Sequence, residues 1–459
     1  MAAVRMARKL LALPVAAALA GCVLTTPPAS GDLQKQALTN TAVPDNWKAA
    51  PAQGPVAERW LATFNEPALS ALVDEALKYN ADLQASAARV ERAAGFLKIA
   101  SASLQPAVTA VGITGSKSGG SGGLEGVFLN ASLELDVWGR VRYGRSAAED
   151  DAAASAADYA YARQSLAAMV AKSWFIAIEA GMQQAIAEAM VRSAESLLKL
   201  AQERMRIGNG NEQAVAEARA AAANYRDALR QIELSREQAL RALESLLGRY
   251  PSAEIKVAER FSPMPDSAPA GMPSQLLERR PDVIAAERRV AAAFNRVGEA
   301  RAAQLPRISL TAGGSDVSSE LIVLKNLDNP VWSLGANLIA PLYQGGALRA
   351  QVDIRTADQK QAVAQYARAG QRAFSEVESA LAAERTLRDR NLLLQAAVRD
   401  NERALELTQI QYRIGNADLR AVEQRQLALQ AARTAQLRVQ SEQRAQRVNL
   451  HLALGGGFE

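Results

Sequence analysis

The two residue types that carry most nucleophilic and metal chemistry occur once each in these 459 residues, as Cys22 and His451. A Cys–His nucleophile needs both side chains within hydrogen-bond reach, and a zinc site needs several imidazole or thiolate ligands, so one chain with this inventory assembles neither. His451 sits in "VNLHLAL", an apolar helical stretch near the C-terminus. The glycine-rich "GSKSGGSGG" at Gly115–Gly123 lacks the Lys-Ser/Thr ending and following helix of a phosphate-binding loop, and reads as an external loop between strands. The chain is expected to catalyse nothing and to hold no metal.

The chemistry open to Cys22 is acylation. Arg5, Arg8 and Lys9 form a basic start, "LLALPVAAALA" is an apolar core of signal-peptide length, and "LAGC" at Leu19–Cys22 closes it. The run is too short to span a bilayer as a helix, and a single cysteine cannot form an intrachain disulfide. "LAGC" resembles the bacterial lipobox, in which small residues precede a cysteine that takes up diacylglycerol. Residues 1–21 are therefore expected to be a lipoprotein signal peptide, and Cys22 to carry diacylglycerol and an N-acyl chain, with no other cofactor. Residues 22–55, rich in Pro, Thr, Ala and Gly, predict an extended tether.

The formal charge of +5 does not point to nucleic acid. Arg residues alternate with Glu and Asp at helical spacing and never run longer than two, the pattern of solvated helix faces. Ala, Arg, Gln, Glu and Leu dominate and only 5% of residues are aromatic, a composition suited to long helices. All 17 prolines avoid two stretches, 107–250 and everything beyond Pro341, where long helices are permitted. The spacing predicts a helix over Ser146–Arg206, roughly 90 Å at about 1.5 Å per residue, and another over Ala347–Arg413. Each ends in the letters "RIGN", and each is followed by a second helical run, Gln213–Leu247 and Leu419–Leu454. Arg206–Asn209 and Arg413–Asn416 are thus helix–turn–helix tips, with Gly208 and Gly415 able to adopt the left-handed conformation that ends a helix and Asn able to support it.

The halves match elsewhere in the same order. "LVDEALKYNADLQASAARVERAAGFLKIASASLQPAVTAVGITG" parallels "RRPDVIAAERRVAAAFNRVGEARAAQLPRISLTAGG", with Gln105–Pro106 and Leu305–Pro306 ending each helix. Stretches of period two follow: "AVTAVGITG" and "VFLNASLELDVWG" in the first half, "RISLTAGG" and "VWSLGANLIAPLYQG" in the second. Asp136–Gly139 aligns with Pro341–Gln344, so Trp138 or Tyr343 sits where strand returns to helix. The chain reads as a tandem duplication of helix, hairpin, long helix, tip and helix: residues 56–250 with a hairpin at about 107–138, a linker over 251–275, and residues 276–459 with a hairpin at about 307–343. Strands of about 9–11 residues suit a bilayer, which tolerates no open sheet edge. Four strands cannot close a membrane barrel, so several copies are expected to share one, and a trimer supplies twelve strands. Alternation in the first strand is only moderate, since Val108, Ala110 and Ile113 do not keep strict period two.

On these motifs the chain resembles the TolC-like outer-membrane efflux proteins, in the lipoprotein branch called NodT-type that includes OprM-like and CusC-like channels. The carrying segments are "RRPDVIAAERRVAAAFNRVGEARAAQLPRISLTAG" and "RWLATFNEPALSALVDEALKYNADLQASAARV", with Ala81 where Pro is usual in the branch. The resemblance covers essentially the whole mature chain. It implies a mainly α fold with membrane β-strands, a homotrimer with a shared twelve-stranded barrel, and an α-helical barrel crossing the periplasm. The implied partners are a periplasmic adaptor, an inner-membrane pump of the RND class and outer-membrane lipid. Val23 after the cysteine, by resemblance to other lipoproteins, directs the chain to the outer membrane of a Gram-negative cell.

The resemblance places adaptor docking at Arg206, Ile207, Gly208 and Asn209 and at Arg413, Ile414, Gly415 and Asn416. It places the narrowest aperture just after the second tip, at Arg420, Glu423 and Gln424. There the branch pattern "FLTVLDAQR" is replaced by "LRAVEQRQL", with Glu423 for Leu and Gln424 for Asp. A ring of Glu423 side chains, balanced by Arg420 or Arg425, implies a cation-tolerant gate. The alternative points Glu423 outward into a helix–helix salt bridge. The implied function is a passive exit duct for small amphiphiles. Alternatives are an exit for type I protein secretion or for metal ions, although the eight Met residues form no evident inward cluster, and, in a different class, a structural coiled-coil periplasmic lipoprotein.

Overall fold

The computed structural model describes residues 24–49, 54–114, 125–318 and 331–458; the signal segment, Cys22 and Gly115–Gly123 lie outside them. The chain runs α1 (Ser30–Ala37), α2 (Trp60–Thr63), α3 (Pro67–Tyr79), α4 (Ala81–Ala102), β1 (Ala107–Thr114), β2 (Glu125–Leu135), α5 (Arg140–Arg206) and α6 (Glu212–Leu246). It continues through a 3-10 turn at Pro273–Gln275, then α7 (Leu276–Arg279), α8 (Pro281–Ala302), β3 (Arg307–Ser318), β4 (Val331–Ile339), α9 (Ala347–Arg413) and α10 (Leu419–Ala453). The duplication is visible in the lengths. α4 and α8 have 22 residues each, α5 and α9 have 67, and α6 and α10 have 35.

The strands form one antiparallel sheet in the order β1-β2-β3-β4, so β2 of the first repeat pairs with β3 of the second. Leu135 lies opposite Ile308, Ala107 opposite Ser132, and Arg307 opposite Ile339. β1 and β4 are the edges, each paired on one side only among the described residues.

Two compact units emerge, and neither is one repeat. One gathers the N-terminal segment with residues 87–158 and 282–370; the other gathers 42–86, 159–281 and 371–459. The first holds the sheet and a ladder of polar contacts between α5 and α8. Arg289 pairs with Asp158 and Arg296 with Asp151, while Asn295 Nδ2 donates to Asp150 at 2.9 Å. Burial raises the Asp150 and Asp151 carboxyls above their ordinary range, and Arg288 and Arg296 respectively oppose that. The second unit holds the main core, built on Trp60, Phe64, Leu69, Trp174, Phe175 and Leu243. The linker over 251–275 is strapped down there by side chains. The Glu244 carboxylate accepts from the backbone N–H of Ala253, Glu254 and Ile255 at 2.7–3.0 Å. Arg444 donates to the Ser262 carbonyl and Arg447 to that of Asp266, and a buried Arg447–Glu384 pair backs the second contact.

Three expectations need correction. The 22–55 segment is not simply extended: α1 forms within it and buries Leu33, while the Trp47 indole N–H donates to the Gly271 carbonyl at 3.1 Å. The first long helix starts at Arg140 rather than Ser146, because the Asp136 carboxylate accepts from the backbone N–H of Val141 and Arg142 at 3.0 and 2.9 Å. Capping of the orphan donors overrides the helix-weakening effect of Gly144. β3 continues past "TAGG" to Ser318, held in register against β2 as far as Glu125.

Candidate functional site

Among the described residues no group of three or more of His, Cys, Asp and Glu stands in metal-binding array. The sheet is the first candidate surface. Register sorts its side chains onto two faces. One face carries Val108, Ala110 and Gly112 of β1, Val127, Leu129, Ala131, Leu133 and Leu135 of β2, Ile308, Leu310 and Ala312 of β3, and Trp332, Leu334, Ala336 and Leu338 of β4. Across these positions it has no polar side chain. The other face carries Thr109, Asn130, Ser132, Glu134, Ser309, Thr311, Ser333 and Asn337, together with Val111 and Phe128. β4 is exposed at every position, and Leu334 is 87% exposed. An apolar face of this extent has no place in water, and the strand lengths of 8, 11, 12 and 9 residues suit a bilayer. Val108 and Ala110 fall on the apolar face, so the weak alternation of β1 reflects small residues on both sides.

At the strand-to-helix return, Trp138 Nε1 donates to the Pro306 carbonyl at 2.7 Å. The described chain begins beside this point: Leu24 packs against Gly139, whose φ is +79°, and the Thr25 N–H donates to the Tyr143 hydroxyl at 2.9 Å.

The two tips share one backbone design. The Asn209 N–H donates to the Arg204 carbonyl and the Asn416 N–H to that of Gln411, both at 2.8 Å, with Gly208 and Gly415 at φ of +77° and +87°. This is the six-to-one closure that a left-handed residue after a helix allows. The return helices are capped by Asn211 and Asp418, which accept from Ala214 and Ala421 N–H at 2.8 Å. These caps were readable as Asn or Asp immediately before a helical run, and sequence reasoning passed over them in favour of Asn209 and Asn416. Ile207 and Ile414 project into solvent, 58% and 66% exposed, alongside exposed Arg206 and Arg413. The tips are also joined to each other. The Arg204 guanidinium lies 4.4 Å from the Tyr412 ring centroid and donates to the Tyr412 carbonyl at 3.0 Å, over a small core of Ala201, Val215, Leu419 and Val422. Sequence reading had no means of finding this pair, whose members lie in different repeats.

Beyond the second tip, Arg420 and Glu423 come together and Gln424 stands apart, exposed. Arg420 reaches α6 and pairs with Glu217 at 3.4 Å. Glu423 is half-buried in a groove of about 600 Å3 lined also by Glu217, Asn224 and Tyr225, and makes no hydrogen bond among the described residues. Burial raises its carboxyl above the usual range, Glu217 adds to the rise, and Arg420 opposes it. The helix–helix salt bridge thus exists, but with Arg420 and Glu217 rather than Glu423 as its members.

A sheet with one apolar face, together with long paired helices that end in matched polar tips, defines a subunit of an outer-membrane channel. The chain belongs to the family described as outer membrane efflux proteins, whose profile matches residues 72–249 and 272–456. It is 32% identical to the pyoverdine export outer membrane protein OpmQ of Pseudomonas aeruginosa, over 91% of this chain and 92% of that one. It is 31% identical to the cation efflux system protein CusC of Escherichia coli K12, over 98% and 99%. Among solved structures it resembles the open state of the MtrE outer-membrane channel of Neisseria gonorrhoeae, with a TM-score of 0.81 and 27% identity over 95% of this chain and 98% of that one. The TolC-like fold, the outer-membrane location and the role as an efflux channel follow.

Proposed function

We propose that the chain is the passive exit duct of a tripartite pump, working as a homotrimer with a periplasmic adaptor and an inner-membrane pump of the RND class. The observation that carries this reading is the sheet, with one apolar face and two edges that find no partner among the described residues. Edges in lipid leave backbone groups unsatisfied at several kcal/mol each, so the sheet must close with other copies. Three copies of a four-stranded sheet make a twelve-stranded barrel. The duct contributes passage rather than chemistry, and energy comes from the pump.

Within that assembly the tips at Arg206–Asn209 and Arg413–Asn416 are the adaptor docking points, each offering an exposed Ile flanked by an exposed Arg. The residues after the second tip form the aperture, with Glu423 as its negative group and Arg420 drawn aside to Glu217. Cys22 carries the acyl anchor. The packing of Leu24 against Gly139, four residues beyond the end of β2, supports this, because it brings the start of the described chain to the strand-to-helix return, beside the bilayer edge. Relatives of similar identity are named for pyoverdine export and for cation efflux. Small solutes of varied chemistry therefore suit one duct, and selection is left to the pump.

The test is the mass and heat-modifiability of the purified protein in detergent. A trimer that runs compact unheated and as a monomer after boiling is expected. A monomer under both conditions sinks the shared barrel and favours a structural coiled-coil lipoprotein.

A further inference from the structure

A groove of about 660 Å3 runs between α4, α5 and α8, with all of its lining inside the unit that holds the sheet. α4 contributes a single stripe, Arg89, Arg92, Phe96, Ile99 and Ser103, spaced by three and four residues so that the side chains share one helix face. The rest of the lining includes Gly144, Ala148 and Asp151 of α5 and Arg296 and Glu299 of α8. Two observations place the groove on the polar side of the sheet. Arg140, which also lines it, donates twice to the Glu134 carboxylate at 2.9 and 2.8 Å, and Glu134 stands on the polar face. On α5, Ser146, Glu149 and Asp150 meet the N-terminal segment, and at about 100° per residue Gly144, Ala148 and Asp151 lie on the other side of that helix. The N-terminal segment thus covers one surface of α5 and the groove opens on the other. In a barrel whose apolar face meets lipid, the polar side is the lumen.

Most charges in the groove are answered within the chain. Arg296 pairs with Asp151, Arg289 with Asp158, Arg145 with Glu149 and Arg140 with Glu134. The Glu299 carboxylate lies close over Gly144 and interacts electrostatically with Arg140. Arg89 and Arg92 are the exceptions: both are exposed, and neither makes a hydrogen bond or ion pair among the described residues. The duplication shows that this is no necessity of the fold. α4 and α8 have equal length, so the equivalent of Arg89 is Arg289, and Arg289 has Asp158. Two free guanidiniums one helical turn apart match the oxygens of a carboxylate, phosphate or sulfonate. Next along the same stripe, Phe96 and Ile99 are 59% and 67% exposed. We propose that this groove is a subsite on the duct wall for anionic amphiphiles, with the head group on Arg89 and Arg92 and the apolar part along Phe96 and Ile99.

The proposal rests on the exit-duct reading and adds a class of cargo to it. Every wall of the groove comes from one chain, so the subsite exists before copies assemble. Uncompensated charge of one sign in a water-filled passage with low-dielectric walls raises the local concentration of counter-ions, by about tenfold or more. The apolar stripe then favours an anion that carries a chain or ring over a bare inorganic one, because covering Phe96 and Ile99 removes apolar surface from water. A membrane lipid reaches the sheet from its apolar face, so the occupant of this groove is solute in the lumen. The pump still selects what enters; the groove gives one class of cargo a station on the way out.

The test is titration calorimetry of the full-length protein in phosphatidylcholine nanodiscs, with hexanesulfonate as the probe. Saturable binding is expected, severalfold tighter than that of methanesulfonate, which lacks the chain. Hexyltrimethylammonium, which keeps the chain and reverses the charge, is expected not to bind. Arg89→Gln with Arg92→Gln is expected to weaken hexanesulfonate by about tenfold or more, and Phe96→Ser to bring it down to the methanesulfonate level. Lys98→Gln, on the same helix but off the groove, is expected to change nothing. Equal binding by the parent and the double Gln variant overturns the subsite, as does equal binding of the sulfonate and the ammonium. If the double Gln variant loses its oligomeric state while hexanesulfonate binding per chain persists, the two arginines serve contacts between copies and the proposal fails. A parent that binds hexanesulfonate through Arg89 and Arg92 but is monomeric removes the duct and leaves an anion site on a single chain. A conducting trimer that does not bind it overturns the subsite alone.

Discussion

At His451 an apolar context in the sequence became a packing role in the fold. The ring is buried, stacks on Trp60 with centroids 5.6 Å apart, and neither nitrogen finds a partner among the described residues. Burial, with Arg447 nearby, pushes its pKa from 6.5 down to about 3. The unfolded chain thus takes up a proton near pH 6.5 that the folded chain refuses until about pH 3. Stability is full above that unfolded value and declines as pH falls through the window, by about 1 kcal/mol per unit. Melting temperatures at about pH 7 and about pH 5 are expected to differ more for the parent than for His451→Leu; equal drops would place the acid sensitivity elsewhere. Glu423 makes a second claim at this scale. In single channels, Glu423→Gln is expected to weaken cation preference. Because the raised carboxyl protonates early, the parent should lose that preference above the ordinary carboxylate range as pH falls. An unchanged preference in the variant removes Glu423 from the gate.

Among the elements, the helices were the most legible. Proline exclusion marked the stretches in which α5 and α9 could run, and "RIGN" marked both tips because glycine alone enters the left-handed region without strain. Nothing lies within 4 Å of a Cβ built at Gly208 or Gly415, so substitution there costs only backbone strain. Gly208→Ala or Gly415→Ala is expected to cost about 1 kcal/mol, read as severalfold faster hydrogen exchange across the altered tip while α3 is unaffected. Equal exchange in parent and variant would mean the left-handed turn is not what holds the tip. The strands were harder to read. Ala and Gly on both sides of β1 blur its period, and only pairing with β2 shows which side is apolar. The start of α5 was misplaced because Asp136 lies outside the helix it caps. Glu244 was unreadable for a related reason, since its three backbone partners fold back from the linker. Glu244→Gln, which weakens charge-assisted bonds to those N–H groups, is expected to lower stability by about 1–3 kcal/mol in denaturant titration.

For the molecule as a whole, the repeated order of the elements was legible from spacing, while the joins between the halves were not. The Arg204–Tyr412 contact, the α5–α8 ladder and the β2–β3 register each pair residues from different halves, where no local pattern reaches. The β2–β3 pairing that joins the halves leaves β1 and β4 each paired on one side only among the described residues, and the proposed shared barrel is what would close those edges. A duct must conduct. Purified protein reconstituted into a planar lipid bilayer is expected to give discrete, long-lived conductance steps, each from one trimer. A trimer that inserts into the bilayer and passes no current under any applied voltage would contradict the account.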